Sequence, residues 1–384
     1  MSFSLSLAAL APILAVSPNA DWQPTLRPAA ALDGPVHRLH LHPGPGGLEF
    51  IAAGSFQNAG PLAANRIARR AGAGWVPLGT GFDDEVYALA SFDDGMGTDL
   101  YAGGRFTTAD GLGANLIARW DGVGWTSLGS GIERSGGGTT YVADLIAFDD
   151  GSGPSLFACG WFDTAGGNAA FGIARWDGVT WHAVGGGIPG LVFDLEVFDD
   201  GTGPALYAAG AFYDAGSAQV LNVARWDGAA WSAVGGELAG GVNSICVFDD
   251  GTGPALYAGG TFTSTMTAPE EFDHVARFDG SVWRPVGGGV QGPYGAKVNV
   301  LTVYDDGTGP ALYAGGLFFE AGGLPADNIA RFDGAVWSPL GAGVNGRLDT
   351  LVVAPGPIGG RALYVGGDFD VSPRGDAYFA RLQP

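Results

Sequence analysis

The sequence predicts an all-β chain made of one short-stranded unit repeated end to end, and three observations carry that expectation. A hydrophobic run closing on glycine and phenylalanine returns seven times, with the phenylalanines at Phe56, Phe106, Phe162, Phe212, Phe262, Phe318 and Phe369, a period of 50 to 56 residues. Each copy holds β-rich runs around Asp/Gly turns, and no stretch past the N-terminal segment shows a sustained helical period. The last copy stops without its tryptophan run, while a matching run stands at the other end of the chain. Four-stranded units of this length build β-propellers, whose radial arrangement leaves only short, protected sheet edges. The expected fold is a seven-bladed β-propeller of four-stranded blades, closed by an N-terminal strand that completes the last blade.

In chain order, Leu5 to Val16 is an apolar run broken by Pro12 and followed by Ser17-Pro18-Asn19-Ala20 and the polar Asp21. It is short for a bilayer span and reads as a secretory core with a small residue at the cleavage point, although no Lys or Arg precedes it. Residues 1–20 are therefore expected to be a signal peptide, and residues 21–384 a single exported propeller domain, secreted or held in the cell envelope. No later segment reaches 18 uninterrupted apolar residues, so no membrane insertion is expected after cleavage.

The fifth unit serves as the type. Val242 to Phe248 and Ala255 to Gly260 flank Asp249-Asp250-Gly251-Thr252-Gly253-Pro254, which is a hairpin signal. Val275 to Phe278 and Val282 to Val286 then flank a second turn at Asp279-Gly280. Each unit thus supplies four strands, a to d. The seventh ends at Phe379-Ala380-Arg381-Leu382, and Asp21-Trp22-Gln23-Pro24-Thr25-Leu26 matches the d-strand pattern Trp75-Val76-Pro77-Leu78 of the first.

Hydrophobic residues make up 46% of the 384, ample for a core, and 69 glycines recur at fixed places as tight turns require. The net charge is −21, and Lys297 is the only lysine among 18 basic residues. So acidic a surface repels phosphate backbones and anionic headgroups, which excludes nucleic acid and membrane surfaces as partners; it is also a common solubility device. Cys159 and Cys246 fall a whole repeat apart, too far for a disulfide, and are expected as buried free thiols.

The pattern Leu256-Tyr257-Ala258-Gly259-Gly260, an aromatic before Asp279, and Trp283 four residues later resembles the kelch repeat. The Arg-Trp-Asp-Gly-x-x-Trp wording also resembles kelch-related repeats of secreted bacterial proteins and of a fungal bud-site membrane marker. The resemblance runs through all seven units. It implies a propeller of the kelch and galactose-oxidase-like kind: kelch propellers mostly bind other proteins, and the oxidases act on alcohols at copper. The chain departs from both, since Trp120, Trp176, Trp226, Phe278 and Phe332 replace the usual Tyr and nothing matches the oxidase's Tyr-Cys cofactor.

Positions that agree between repeats point to structure. Arg69, Arg119, Arg175, Arg225, Arg277, Arg331 and Arg381 hold one place in strand c, which suggests a repeated contact with an acidic residue at the blade junction. Trp75, Trp125, Trp181, Trp231, Trp283 and Trp337 read as blade core. The paired aspartates Asp93-Asp94, Asp149-Asp150, Asp199-Asp200, Asp249-Asp250 and Asp305-Asp306 have two readings, ordinary turn formers or carboxylates offered to calcium. With Asp121, Asp177, Asp227, Asp279 and Asp333 they place fifteen of 39 acidic residues on one face. His40 and His42 share one side of a strand, a spacing that two metal ligands can use.

Positions that disagree are where a particular ligand is read. The residue after the leading Val or Leu of strand a is His37, Tyr87, Ala143, Phe193, Asn243, Asn299 and Asp349 in turn. With strand a innermost, as the kelch resemblance implies, these ring one mouth of the central channel, a mix suited to a small polar ligand or glycan. The b–c loops open on the same face and bring Trp161, Tyr213, Glu270-Glu271, Phe272 and Phe319. No nucleophile elbow, zinc-hydrolase helix or phosphate loop is present. The expectation is a monomeric binding or scaffold module for a protein or glycan, with no cofactor other than calcium. The alternatives are an enzyme at the channel mouth and a calcium-stabilised surface protein.

Overall fold

The computed structural model describes residues 21–23, 31–44, 46–72, 74–266, 271–293, 295–356, 359–370, 372 and 377–383. The expected signal segment and Glu270 lie outside them. Within them the chain is all-β. Val36–Gly44, Gly47–Gly54, Ile67–Ala71 and Gly74–Pro77 form one antiparallel sheet in the order a, b, c, d. Sheets of the same order follow with a strands at Val86–Asp93, Tyr141–Asp149, Gly190–Asp199, Val242–Asp249 and Lys297–Asp305. In the C-terminal sheet Arg347–Pro355, Arg361–Asp368 and Phe379–Gln383 are joined by Asp21–Gln23, with Trp22 opposite Leu382. A series of four-stranded antiparallel sheets is a propeller-like architecture.

In the second to sixth units the a–b turn is closed by its first aspartate. In the fourth unit Asp199 Oδ1 accepts the N–H groups of Gly201 and Gly203 at 2.9 and 3.0 Å, and those glycines sit at φ 94° and 111°, where a side chain is strained. Four strand-c arginines meet the second aspartate of the same turn: Arg119 approaches Asp94 at 3.3 Å, Arg225 Asp200 at 3.2 Å, Arg277 Asp250 at 3.0 Å and Arg331 Asp306 at 3.3 Å. These contacts lie within one unit, not at the junction between units where the sequence reading set them. The reason is register, which places the arginine opposite Tyr207 or its equivalents on strand b, beside its own turn.

Packing between units falls to the tryptophans. Each d-strand indole is buried, and in the second to sixth units its N–H crosses to the preceding unit: Trp125 donates to Leu78 O at 3.0 Å, Trp231 to Val184 O at 3.2 Å and Trp337 to Val286 O at 3.0 Å. Trp22 does the same to Leu340 O at 3.2 Å across 318 positions of sequence. Hydrophobic clusters accordingly span successive units, as where Phe198 and Tyr207 of the fourth pack with Ile245 and Trp283 of the fifth. Cys159 is buried, Cys246 half-buried, and both are free thiols.

Strand a carries the feature that shapes the site. In every unit its pairing with strand b slips by one residue near the start, between Val36 and Arg38 in the first and between Leu348 and Thr350 in the last. The skipped residue is the extra residue of a β-bulge, a device that re-aims a side chain. Opposite it stands the second glycine of the repeat: Gly54, Gly104, Gly160, Gly210, Gly260, Gly316 or Gly367. A Cβ there would fall 2.0 to 2.2 Å from a carbonyl oxygen of the chain entering strand a. The bulge leaves no room for a side chain, which explains why that glycine recurs without exception. A second layer was not visible in the repeat pattern. Small hairpins in the b–c loops, such as Thr164–Ala165 with Asn168–Ala169, pair with the d–a connection through Ile132 and Glu133.

Candidate functional site

The seven bulged residues converge. His37, Tyr87, Ala143, Phe193, Asn243, Asn299 and Asp349 line one cavity of about 470 Å³, together with Arg38, Glu85, Asp194 and Arg347. Every unit contributes, although the lining spans 312 positions between His37 and Asp349. Trp161 is not among the lining residues; it pairs with Tyr141 at the end of strand b, with the Arg134 guanidinium 4.2 Å from its ring centre.

The lining is a connected polar network. Arg347 grips Asp349 with two hydrogen bonds of 2.7 and 2.9 Å, and His37 Nδ1 lies 3.2 Å from the same carboxylate. Burial pushes the Asp349 carboxyl up, but the His37 and Arg347 contacts outweigh it and hold the group below the usual carboxylate range. His37 Nε2 faces Ser55 Oγ at 3.3 Å and Glu85 at 4.0 Å. Tyr87 donates to Glu85, packs its ring 5.4 Å from that of His37, and has its hydroxyl pKa pushed up by burial and by that bond. The two asparagines are partly committed to structure: Asn243 donates to Val298 O and Asn299 to Leu348 O, each at 2.9 Å and each in the next unit.

A second cavity of about 400 Å³ lies deeper and shares Arg38, Asp194, Ser244 and Val300 with the first. Much of its polar lining comes from the positions that follow the bulge, with His40, Ser91 and Glu196 beside them, and the comparison of repeats at the bulged position does not reach these residues. The signal was available one residue along, where Arg38, Asp144, Asp194, Ser244 and Thr350 interrupt an apolar strand. Four of them also join units, since Thr350, Asp144, Asp194 and Ser244 accept the N–H of Leu39, Leu195, Ile245 and Leu301 in the next unit at 2.7 to 3.2 Å. Arg38 donates to Asp144 at 2.6 Å. Burial and then the Asp144 charge push Asp194 far up and Glu196 up to about 7. His40 and His42 converge on Ser91 Oγ at 2.8 and 3.0 Å, and burial, then Arg38 and His42, drive His40 down to about 3.

The aspartate turns lie at the other end of the sheets. Asp93, Asp149, Asp249 and Asp305 cap their own turn glycines as Asp199 does. The second residues, Asp94, Asp150, Asp200, Asp250 and Asp306, accept from the turn backbone through Oδ1. Oδ2 of Asp94, Asp200, Asp250 and Asp306 faces a strand-c arginine. Asp150 instead accepts the indole N–H of Trp226 in the next unit at 3.0 Å. Among the described residues, no group of three or more His, Cys, Asp or Glu is placed to hold one metal ion, and no helix is long and apolar enough to cross a membrane.

No family model matches the sequence, and no curated protein matches it. The fold has solved counterparts. The crystal structure of BBS1N in complex with ARL6DN, soaked with lead, aligns over 94% of this chain and 97% of that one with a TM-score of 0.52 and 10% identity. The mercury-soaked form gives 0.50 and 11% over the same shares. At such identity the likeness speaks for the β-propeller fold alone, in keeping with the four-stranded sheets.

Proposed function

We propose that this chain is an exported, monomeric, closed ring of seven kelch-like blades, of the secreted bacterial type, that binds a protein partner through the face on which the channel mouth opens. The observation that carries the reading is the surround of that mouth. Leu62, Leu112, Phe171, Tyr213, Met266 and Phe319, one from the b–c loop of each of the first six units, are large apolar side chains left 44 to 78% exposed. Large apolar side chains exposed together on one face, with polar groups between them, mark an interaction surface. BBS1N was crystallised with a protein bound, ARL6DN, which favours the same use of the fold here. Closure of the ring rests on the Trp22 to Leu340 bond, the pairing of Asp21–Gln23 with the last strand, and the His37 to Asp349 and Leu39 to Thr350 contacts between first and last blades. Export rests on the Leu5 to Val16 run. A glycan ligand is the second reading, favoured by the amide, imidazole and carboxylate lining of the mouth.

The test is affinity capture of secreted proteins by three forms of the protein: wild type, Leu112→Glu/Tyr213→Ser on the rim, and Met96→Glu/Val179→Glu on the opposite face. A partner held by the wild type and the opposite-face variant but lost by the rim variant is the expected result. Equal retention by all three refutes the rim. A thermal shift with oligosaccharides alone supports the glycan.

A further inference from the structure

Three side chains at the mouth stand in a relation that binding does not need. Ser55 Oγ is 3.3 Å from His37 Nε2, and His37 Nδ1 is 3.2 Å from Asp349 Oδ2. We infer that Ser55, His37 and Asp349 form a nucleophile, base and orienting acid for hydrolysis of small carboxylic esters, an activity that does not depend on a protein partner. The roles follow from geometry. An imidazole with Nδ1–H directed at a carboxylate presents Nε2 as an acceptor, here facing a hydroxyl. The carboxylate is itself fixed by the two-pronged grip of Arg347 and by Asn299 Nδ2 at 3.3 Å, so the ring cannot easily swing away. Ser55 is half-buried where strand b ends, beside the 470 Å³ mouth that His37 and Asp349 line. That volume suits a short acyl group and its alcohol.

The three residues come from the ends of the chain: Ser55 and His37 from the first unit, Asp349 from the last. At the Ser55 position the other units carry Arg105, Trp161, Ala211, Thr261, Leu317 and Asp368, and at the His37 position none has another histidine. The constellation is therefore singular in the repeat, unlike the arginines and tryptophans that structure demands seven times over. Glu85, 4.0 Å from Nε2, is occupied by Tyr87 and by Arg105 at 3.6 Å.

The chemistry balances with water as the only co-reactant. As the bond from Ser55 Oγ to the ester carbonyl carbon forms, the hydroxyl proton passes to Nε2. The bond from that carbon to the alcohol oxygen then breaks, and the alcohol leaves with the proton. Water adds to the acyl-serine, its proton passing to Nε2, and the acid departs as Ser55 Oγ recovers the proton. Asp349 is a positioning residue throughout.

The experiment uses the full chain with p-nitrophenyl acetate and a fluorophosphonate probe, with labelling mapped by mass spectrometry. The wild type is expected to hydrolyse the ester and to carry the probe on Ser55. Ser55→Ala should lose the label and about 10⁴-fold of the rate, the scale of loss seen when a triad is broken, with an unchanged Tm. Asp349→Asn should lower kcat and displace the pH profile, which a purely structural role would not do. Ser281→Ala, on an exposed c–d turn, should match the wild type. Hydrolysis that persists in Ser55→Ala, label on another residue, or a folded wild type that neither hydrolyses nor labels overturns the proposal.

Discussion

Replacing Gly210 by alanine adds one methyl group at the point where the fourth bulge is made, and the structure specifies what that methyl meets. Its Cβ would lie 2.0 Å from Leu191 O, 2.9 Å from Val192 Cα and 3.0 Å from Leu191 C. All three are backbone atoms, so no rotamer change relieves the contact; strand a must move, and Phe193 must leave the mouth with it. Overpacking costs about 1–3 kcal/mol, and a backbone clash belongs near about 3. Restricting the unfolded chain returns about 0.4–1 kcal/mol, for a net loss of about 2 kcal/mol. With roughly 2.1 cal/mol/K of unfolding entropy per residue in a chain of 384 residues, Tm should fall by about 2–3 °C, with a matching drop in the urea midpoint. Gly113→Ala is the control, because no atom lies within 4 Å of its Cβ, and its effect should stay within about 0.5 kcal/mol. A Gly210→Ala protein as stable as the wild type, or a Gly113→Ala protein equally weakened, would refute the bulge as the reason for the repeated glycine.

Three further outcomes are expected. Glu196 is held protonated by burial and the Asp144 charge, with its pKa up from 4.5 to about 7. Its contribution is therefore whole below its unfolded pKa and lost as pH rises through 7, while half-buried His40 acts in the opposite sense between about 3 and 6.5. Relative to Glu196→Gln, the wild type should lose about 3 kcal/mol in urea titrations between pH 5 and 8, and parallel curves would contradict this. Trp22→Ala should cost about 3–5 kcal/mol, as Trp231→Ala should, because both bury an indole against the preceding unit; a near-neutral Trp22→Ala would mean that the N-terminal strand does not hold the last sheet. Excess calcium against chelator should leave Tm unmoved, since turn backbone, arginines and Trp226 already engage the paired aspartates, and a saturable rise with calcium would reverse that reading.

Much of this was legible in the residues themselves. Alternation around Asp/Gly turns defines strands locally, a fixed period implies identical units, and the d-strand pattern at Asp21 to Gln23 belongs with a unit that ends at Leu382. Variation at one position among otherwise matching repeats singles out His37, Tyr87, Phe193, Asn243, Asn299 and Asp349, and these line one cavity. The rest depends on distances between units, which no local pattern encodes. Only packing sets the arginines against their own turns, spends the Asn243 and Asn299 amides on neighbouring backbone, and takes Trp161 out of the mouth. Only the bulge sends successive residues of strand a toward the two cavities, where burial and the Asp144 charge push the Asp194 and Glu196 carboxyls up. And only the meeting of the first and last units brings Ser55, His37 and Asp349 within hydrogen-bonding reach, because a repeat specifies each unit's own strands but the sum of all the inter-unit contacts decides which side chains from opposite ends of the chain meet.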